Sequence, residues 1–106
     1  MALPDEIQTE MDAARGALES NNTGKARVCA RRAVGKAFAK SKYCKEYERI
    51  VNANEIVKLI ADDKRFSIKV RDAARRLSTR VTEEGISERP FDDAAAIIEA
   101  LLFENQ

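Results

Sequence analysis

Positively charged side chains are concentrated in one stretch of the chain, and phosphate binding is the chemistry that they suggest. Residues 25–45 read KARVCARRAVGKAFAKSKYCK and hold eight bases and no acid. The rest of the chain holds the other eleven of its nineteen Lys and Arg residues, against all eighteen Asp and Glu. The planar fork of arginine suits phosphate oxygens better than lysine does. A nearly neutral chain therefore contains one strongly basic segment.

A second basic segment lies at residues 67–81, where five bases accompany one acid, Asp72. If the two basic segments form helices that lie side by side, their arginines line one groove for RNA or a nucleotide. If the helices lie on opposite sides of the fold, that groove does not exist. The candidate phosphate-binding residues are Arg27, Arg31, Arg32, Lys36, Arg75, Arg76 and Arg80.

Catalysis finds little support in the sequence, because the chain contains no histidine. Without histidine there is no Ser-His or Cys-His nucleophile pair, and no Glu-x-x-His metal site of the kind found in helical bundles. The adjacent acids Asp62 and Asp63, and likewise Glu83 and Glu84, would point in different directions on a helix and are typical of helix ends. We therefore expect no catalytic residues, no metal and no cofactor.

The two cysteines, Cys29 and Cys44, do not form a CxxC motif. A disulfide between them is formally possible, but two reduced thiols are the expected state in a cytosolic protein. A reactive Cys44, flanked by Lys42 and Lys45, is the alternative. The sequence leaves the redox role of both cysteines open.

The composition favours an all-α protein with a single domain. The chain has 106 residues, enough for one hydrophobic core. Charged residues make up 35% and apolar residues 44%, with only four glycines and two prolines, which favours helices. No apolar run approaches the roughly 20 residues that a membrane span needs, and the N-terminal residues are acidic. We expect residues 1–106 to form one cytoplasmic domain.

Two matched apolar faces predict an antiparallel pair of helices at the start of the chain. The first helix is predicted from Pro4 to Ser20, and the second from an N-cap at Thr23 to Ala39. Both carry apolar residues at the spacing i, i+4, i+7 and i+11. In the first helix these are Ile7, Met11, Ala14 and Leu18. In the second they are Ala26, Ala30, Ala33 and Ala37. Large side chains that face small ones allow close packing.

The bases of the second predicted helix lie on the two sides of this alanine seam. One side carries Lys25, Arg32 and Lys36, and the other carries Arg27, Arg31 and Lys42. The first predicted helix holds five acids and one base, so we expect part of the basic charge to be neutralised within the fold. Gly35 lies away from the seam, where it either permits close approach of another helix or chain or is simply tolerated.

Three further helices complete the predicted fold, an up-and-down bundle of about five helices. The third is expected over residues 43–61, with an apolar surface broad enough for a central position or a subunit contact. The fourth is expected over residues 67–81, with Ser67 as its N-cap. The fifth is expected to begin at Asp92 as its N-cap and to bury one apolar face, so that its acids, including Asp93, face the solvent.

Two stretches of the chain resemble one protein family. An acidic helix, a short polar turn and the sequence GKARVCARRAVGKAFA resemble the first helical pair of HEPN domains, small bundles named for higher eukaryotes and prokaryotes nucleotide-binding proteins. Residues 73–102, AARRLSTRVTEEGISERPFDDAAAIIEALL, resemble the part of that family where an arginine-containing turn leads into an alanine-rich last helix. The layout covers most of the chain.

The resemblance implies a helical bundle that is often a homodimer, sometimes partnered by a nucleotidyltransferase, and sometimes associated with nucleotides or RNA. Many catalytic members of the family are ribonucleases that use an arginine, a short polar spacer and a histidine. Arg80 stands at the matching place, but no histidine follows it. The resemblance therefore implies a phosphate-binding role for Arg80 and no catalytic one.

Two functions follow from these residues. The first is a non-catalytic helical interaction module, homodimeric or paired with another protein, and an exposed apolar patch that includes Tyr43, Tyr47 or Phe66 would favour it. The alternative is RNA or nucleotide binding by the basic helices over residues 25–45 and 67–81. The few aromatic residues beside the first basic segment count against that alternative, because RNA binders stack bases on exposed aromatic rings.

Overall fold

The described part of the chain contains five α-helices. The computed structural model describes residues 3–44, 52–78 and 89–103. In chain order the helices are α1 (Asp5–Glu19), α2 (Thr23–Ala39), α3 (Ala53–Asp62), α4 (Ile68–Ser78) and α5 (Pro90–Leu102). The described residues contain no β-strand, so the predicted all-α bundle is confirmed.

The alanine seam packs α1 against α2 as predicted. All four seam alanines of α2 are completely buried, and Ile7 and Ala14 of α1 are buried as fully. Leu18 is only half-buried, whereas its neighbour Ala17, three residues after Ala14, is buried. Small residues on α2 therefore allow the two helix backbones to approach closely.

Asparagines, rather than Thr23, organise the turn between α1 and α2. Asn21 adopts a left-handed backbone with a φ of 59°, which asparagine tolerates better than most residues. The Asn22 N–H donates to the Ala17 carbonyl at 2.7 Å, as in a Schellman motif. The Asn22 side chain then accepts a hydrogen bond from the Lys25 N–H, so Asn22 and not the predicted Thr23 is the N-cap of α2.

The second helix, rather than the third, takes the central position in the bundle. It packs against α1, α3 and α5, whereas α3 packs against α4 and α2. A Cβ atom at Gly35 would lie 3.3 Å from the Cβ of Ala53, at the first residue of α3. The glycine therefore permits close approach of a neighbouring helix, which was one of its two predicted roles.

The predicted start of α3 is wrong, whereas the predicted N-cap of α4 is confirmed. Tyr43 and Cys44 lie in a turn, and α3 begins only at Ala53, because Asn52 has an extended backbone and its side chain caps two N–H groups of the first turn. The predicted start of this helix at residue 43 is therefore wrong. Ser67 accepts a hydrogen bond from the Val70 N–H, which confirms the predicted N-cap of α4. The predicted end of α4 at residue 81 lies outside the described residues.

The last helix begins two residues before its predicted start. Pro90 is its first residue, where a fixed φ suits a helix and the missing N–H has no partner to lose. Asp92 therefore lies in the first turn and is not the N-cap. One residue further, Asp93 is 4% exposed, so the prediction that it faces the solvent is wrong. Its carboxylate is buried because it pairs with an arginine of α4.

The core gathers apolar residues from all five helices. The largest fully buried side chains include Ile7, Val34, Val57, Ile60, Leu77, Ile97 and Ile98. Cys29 is a buried free thiol and Cys44 a half-buried one, as predicted. Among the described residues, no helix combines the length and apolarity that crossing a membrane requires.

Candidate functional site

The bases of α2 lie on two flanks of the helix that face different neighbours. We call Arg32, Lys36 and Lys40 the α1 flank, because their side chains reach carboxylates of α1. We call Arg27 and Arg31 the α4 flank, because their side chains reach the C-terminal end of α4. The sequence places Arg32 and Lys36 on one side of the alanine seam and Arg27 and Arg31 on the other, and the fold gives each side its own partners.

Two carboxylates of α1 pair with the three bases of the α1 flank. The Glu10 side chain is 9% exposed, and one of its oxygens lies 3.2 Å from Arg32 Nε and 2.9 Å from Lys36 Nζ. One turn earlier on α1, Glu6 lies 2.9 Å from Lys40 Nζ. The hydrogen bond and the charge of Lys40 lower the pKa of Glu6 from its usual value of 4.5. The predicted neutralisation of helix 2 by helix 1 is thus present in the structure.

Backbone carbonyls, rather than carboxylates, hold the α4 flank. Arg27 Nη2 donates to the Arg76 carbonyl at 2.9 Å and to the Leu77 carbonyl at 3.0 Å. Arg31 Nε donates to the same Leu77 carbonyl at 2.8 Å. The two arginines of α2 therefore hold α4 at carbonyls near its last described residue, Ser78.

The charges of the α4 flank are only weakly balanced. Neither Arg27 nor Arg31 is in an ion pair within the described part of the chain. Burial and, to a smaller extent, the charge of Arg31 lower the pKa of Arg27, while the charge of Asp93 acts in the opposite direction. Burial also lowers the pKa of Arg31. Arg27 is 2% exposed, and no residue that the structure describes accepts a hydrogen bond from its buried Nη1. A buried donor without an acceptor is energetically unfavourable.

The arginines of α4 pair with acids. Arg76 Nη2 lies 2.9 Å from Asp93 Oδ1, and this hydrogen bond raises the pKa of Arg76. Arg75 lies 2.6 Å from Asp72 on the same helix, at the surface. The remaining predicted residue, Arg80, lies outside the described residues.

The fold therefore separates the predicted phosphate-binding residues into groups. It gathers Arg27, Arg31 and Arg76 at the C-terminal end of α4, and it leaves Arg32 and Lys36 on the flank that faces α1. All six described candidates already make bonds within the chain. Their role in binding phosphate stays a prediction.

Sequence reasoning missed the individual acids that hold these bases. Glu6 and Glu10 are four residues apart on α1, and so are Lys36 and Lys40 on α2. In an antiparallel pair these two spacings match, and that match was a usable signal. No comparable signal identified Asp93, because its pairing with Arg76 depends on how α5 docks against α4.

The aromatic residues proposed as an exposed patch are mostly drawn into the fold. Phe66 is buried in the core, and the ring of Tyr43 packs on it with centroids 4.8 Å apart. The half-buried Tyr43 ring also lies 5.0 Å from the Arg65 guanidinium. Tyr47 lies outside the described residues. An apolar surface must therefore be sought elsewhere on the bundle.

An open groove between α1 and α5 supplies such a surface. Its volume is about 320 Å³. One end holds Arg15, whose guanidinium lies 4.6 Å from the centroid of the Phe91 ring, and Glu99 lies further along α5. Arg15 and Glu99 are exposed, and neither is in an ion pair among the residues that the structure describes. The groove is lined by Leu3, Gln8, Met11, Arg15, Phe91, Ala95, Ile98, Glu99 and Phe103.

The described residues offer no group of three or more His, Cys, Asp or Glu side chains that could hold a metal ion. Two surface features stand out among the described residues: a basic cluster near the end of α4 and an apolar groove with opposite charges between α1 and α5. Comparison with protein-family models, with curated proteins and with solved structures finds no match for this chain. The resemblance to HEPN domains accordingly stays a prediction.

Proposed function

We propose that this protein is a non-catalytic helical interaction module that forms a homodimer through the groove between α1 and α5. The observation that carries the proposal is the groove itself. It leaves the half-buried Leu3, Phe91 and Phe103 beside exposed side chains of opposite charge. Apolar side chains that remain accessible in a groove favour burial against a partner.

The positions of the two charges favour a second copy of the chain as the partner. Arg15 lies at the Phe91 end of the groove, and Glu99 lies eight residues further along α5, about 12 Å away. If two grooves face each other and run antiparallel, the positive end of each meets the negative end of the other. If they run parallel, like charges meet. A two-fold axis across the groove therefore makes the surface self-complementary.

Charge reversal provides the test of this interface. Arg15→Glu and Glu99→Arg each place two like-charged pairs in the dimer, so each should weaken dimerisation at least tenfold. The double variant Arg15→Glu/Glu99→Arg restores opposite charges and should dimerise like the wild type. Light scattering coupled to size-exclusion chromatography measures the mass, and circular dichroism checks that each variant is folded.

A matched control separates the interface from general charge effects. Lys58 is an exposed base on α3, away from the groove, and Lys58→Glu should leave the dimer unchanged. A wild-type protein that stays monomeric, or a double variant that is no better than the singles, would contradict the homodimer. In that case another protein is the partner, and capture with the Arg15→Glu variant as the negative control would test it.

The alternative function, RNA or nucleotide binding by the two basic helices, has less support. Six of its seven candidate residues already bond within the chain, and four of these bond to carboxylates. An extended RNA surface would have to break these pairs. Fluorescence anisotropy with a labelled RNA at several salt concentrations tests the alternative, since phosphate contacts make affinity fall steeply with salt.

A further inference from the structure

The α4 flank differs from the other basic residues in one respect that points to a ligand. Arg27 Nη2 and Arg31 Nε lie within 3.0 Å of the same Leu77 oxygen, so they are no more than about 6 Å apart, where like charges repel. Among the residues that the structure describes, neither side chain has an acid as its hydrogen-bond partner. The described part of the chain therefore brings two guanidinium groups together without pairing either with a carboxylate.

The charges of the described residues at this place do not cancel. Arg27, Arg31 and Arg76 contribute three positive charges, and Asp93, which already pairs with Arg76, contributes one negative charge. About two positive charges remain among these described side chains, partly removed from water, where electrostatic interactions are stronger than in solvent.

Arg27 also has an N–H donor group whose hydrogen bonds are not satisfied within the described part of the chain. A guanidinium group has five N–H donors. Arg27 uses Nη2 for two carbonyls, while its buried Nη1 has no acceptor among the described residues. Because Arg27 is only 2% exposed, bulk water does not supply that acceptor. An anion bound beside Arg27 and Arg31 would offset the excess positive charge.

We propose that the α4 flank binds one phosphate group, with Arg31 as its principal direct contact and Arg27 as the buried charge that strengthens binding. Arg31 is half-buried and uses Nε for Leu77, so its Nη atoms can meet a ligand from solvent. Phosphate oxygens match the planar fork of arginine. The ligand is inorganic phosphate or the phosphate of a monoester, and the site is independent of the proposed dimer groove.

Titration with inorganic phosphate tests the site. Ionic strength is held constant with chloride, and binding is followed by calorimetry and by the rise in melting temperature that a ligand of the folded state causes. The wild type should bind phosphate saturably. Arg31→Gln should bind at least about tenfold more weakly, because it loses a charge-assisted contact. Circular dichroism confirms that the variant is folded at the temperature of the titration.

The neighbouring arginine gives the matched control. Arg32→Gln removes the same charge from the next residue of α2, but on the α1 flank, and should bind phosphate like the wild type. Absence of saturable binding by the wild type up to about 20 mM phosphate would overturn the proposal. So would equal weakening in Arg31→Gln and Arg32→Gln, since that would reveal a general charge effect.

Adenosine 5′-monophosphate and adenosine distinguish the two sources of the phosphate. Tighter binding of the monophosphate than of inorganic phosphate, with no binding of adenosine, identifies a phosphomonoester. Equal affinity for the monophosphate and inorganic phosphate identifies the inorganic ion. Either result supports the site, whereas adenosine binding as tight as that of the monophosphate would contradict a site built for phosphate.

Discussion

The two flanks of α2 carry similar side chains but use them differently. On the α1 flank, Arg32, Lys36 and Lys40 each pair with a carboxylate, Glu10 or Glu6. On the α4 flank, Arg27 and Arg31 meet carbonyl oxygens, which accept hydrogen bonds but carry no full charge. The first arrangement offsets most of the charge of its bases. The second positions a neighbouring helix and leaves positive charge available for a ligand.

This difference shows why a basic segment cannot be interpreted from its charge alone. Eight bases in 21 residues indicate a binding surface, yet the described bases of the α1 flank serve packing against α1. Two residues that look the same in sequence, Arg31 and Arg32, face different helices because adjacent residues on a helix point about 100° apart. The contrast between the flanks can be tested by substitution.

The largest effect is expected at the buried arginine of the α4 flank. Arg27→Ala removes a buried side chain and its two hydrogen bonds to carbonyls of α4, although Arg31 still donates to the Leu77 carbonyl, so the free energy of unfolding should fall by about 3 kcal/mol. Arg32→Ala, at a side chain that is 59% exposed, should lose less than about 1 kcal/mol. Urea denaturation measures both, and similar losses for the two variants would contradict the contrast.

A smaller effect is expected on the α1 flank. Glu10→Gln keeps the shape of the side chain but removes the charge that faces Arg32 and Lys36, which should lower the free energy of unfolding by about 1 kcal/mol. Repeating the denaturation near 1 M salt should shrink the difference, because both bases are partly exposed to screening. Glu19→Gln on the same helix is the control, with a change within about 0.5 kcal/mol. If Glu10→Gln lowered the free energy of unfolding as much as Arg27→Ala does, the proposed difference between the two flanks would be contradicted.

Alanine substitutions at two glycines test how tightly the helices pack, on the open side of α1 and where α2 meets α3. Gly16 on α1 has nothing within 4 Å of an added Cβ, so Gly16→Ala should stabilise the protein by about 0.5 to 1 kcal/mol through helix propensity. Gly35→Ala should stabilise it by at least about 0.5 kcal/mol less, because its Cβ would press on Ala53. Thermal unfolding measures both variants, and equal gains would show that α3 yields to the added methyl group.

The smallest effect concerns Glu6 and Lys40 at the exposed end of the α1 flank. The lowered pKa of Glu6 means that the pair stabilises the fold above the unfolded pKa of Glu6, and that this stability is lost as the pH falls through the folded value. Lys40→Met should therefore raise the folded pKa of Glu6 towards 4.5, as measured by NMR titration. Lys25→Met, near the other end of α2, should leave that pKa unchanged.

Local patterns in the sequence were sufficient for the helical pair at the start of the chain and for several other features. The spacing of Ile7, Met11 and Ala14 and of the four seam alanines determined which faces of α1 and α2 are buried, because helical periodicity is a local property. Ser67 was identifiable as an N-cap for the same reason, since its bond to the Val70 N–H joins residues three apart. The all-α class followed from composition.

Helix starts were less predictable where apolar residues continue past a capping residue. The apolar pattern around residues 47–51 extended the third predicted helix backwards, whereas the backbone and side chain of Asn52 start α3 afterwards. At α5, Asp92 was predicted as the N-cap, whereas Pro90, which suits the first turn of a helix, starts it two residues earlier. In both cases one residue supports two local interpretations, and packing selects between them.

The sequence by itself determined an all-α protein with an alanine-lined helical pair, no histidine chemistry and a basic second helix. Only the tertiary structure decided that Glu10 receives Arg32 and Lys36, that Asp93 is buried against Arg76, and that α1 and α5 leave a groove between them. The physical reason is the separation along the chain of the residues that interact. Helix formation and burial patterns depend on residues a few positions apart, whereas the partner of a long charged side chain depends on how separate helices rotate and dock against one another.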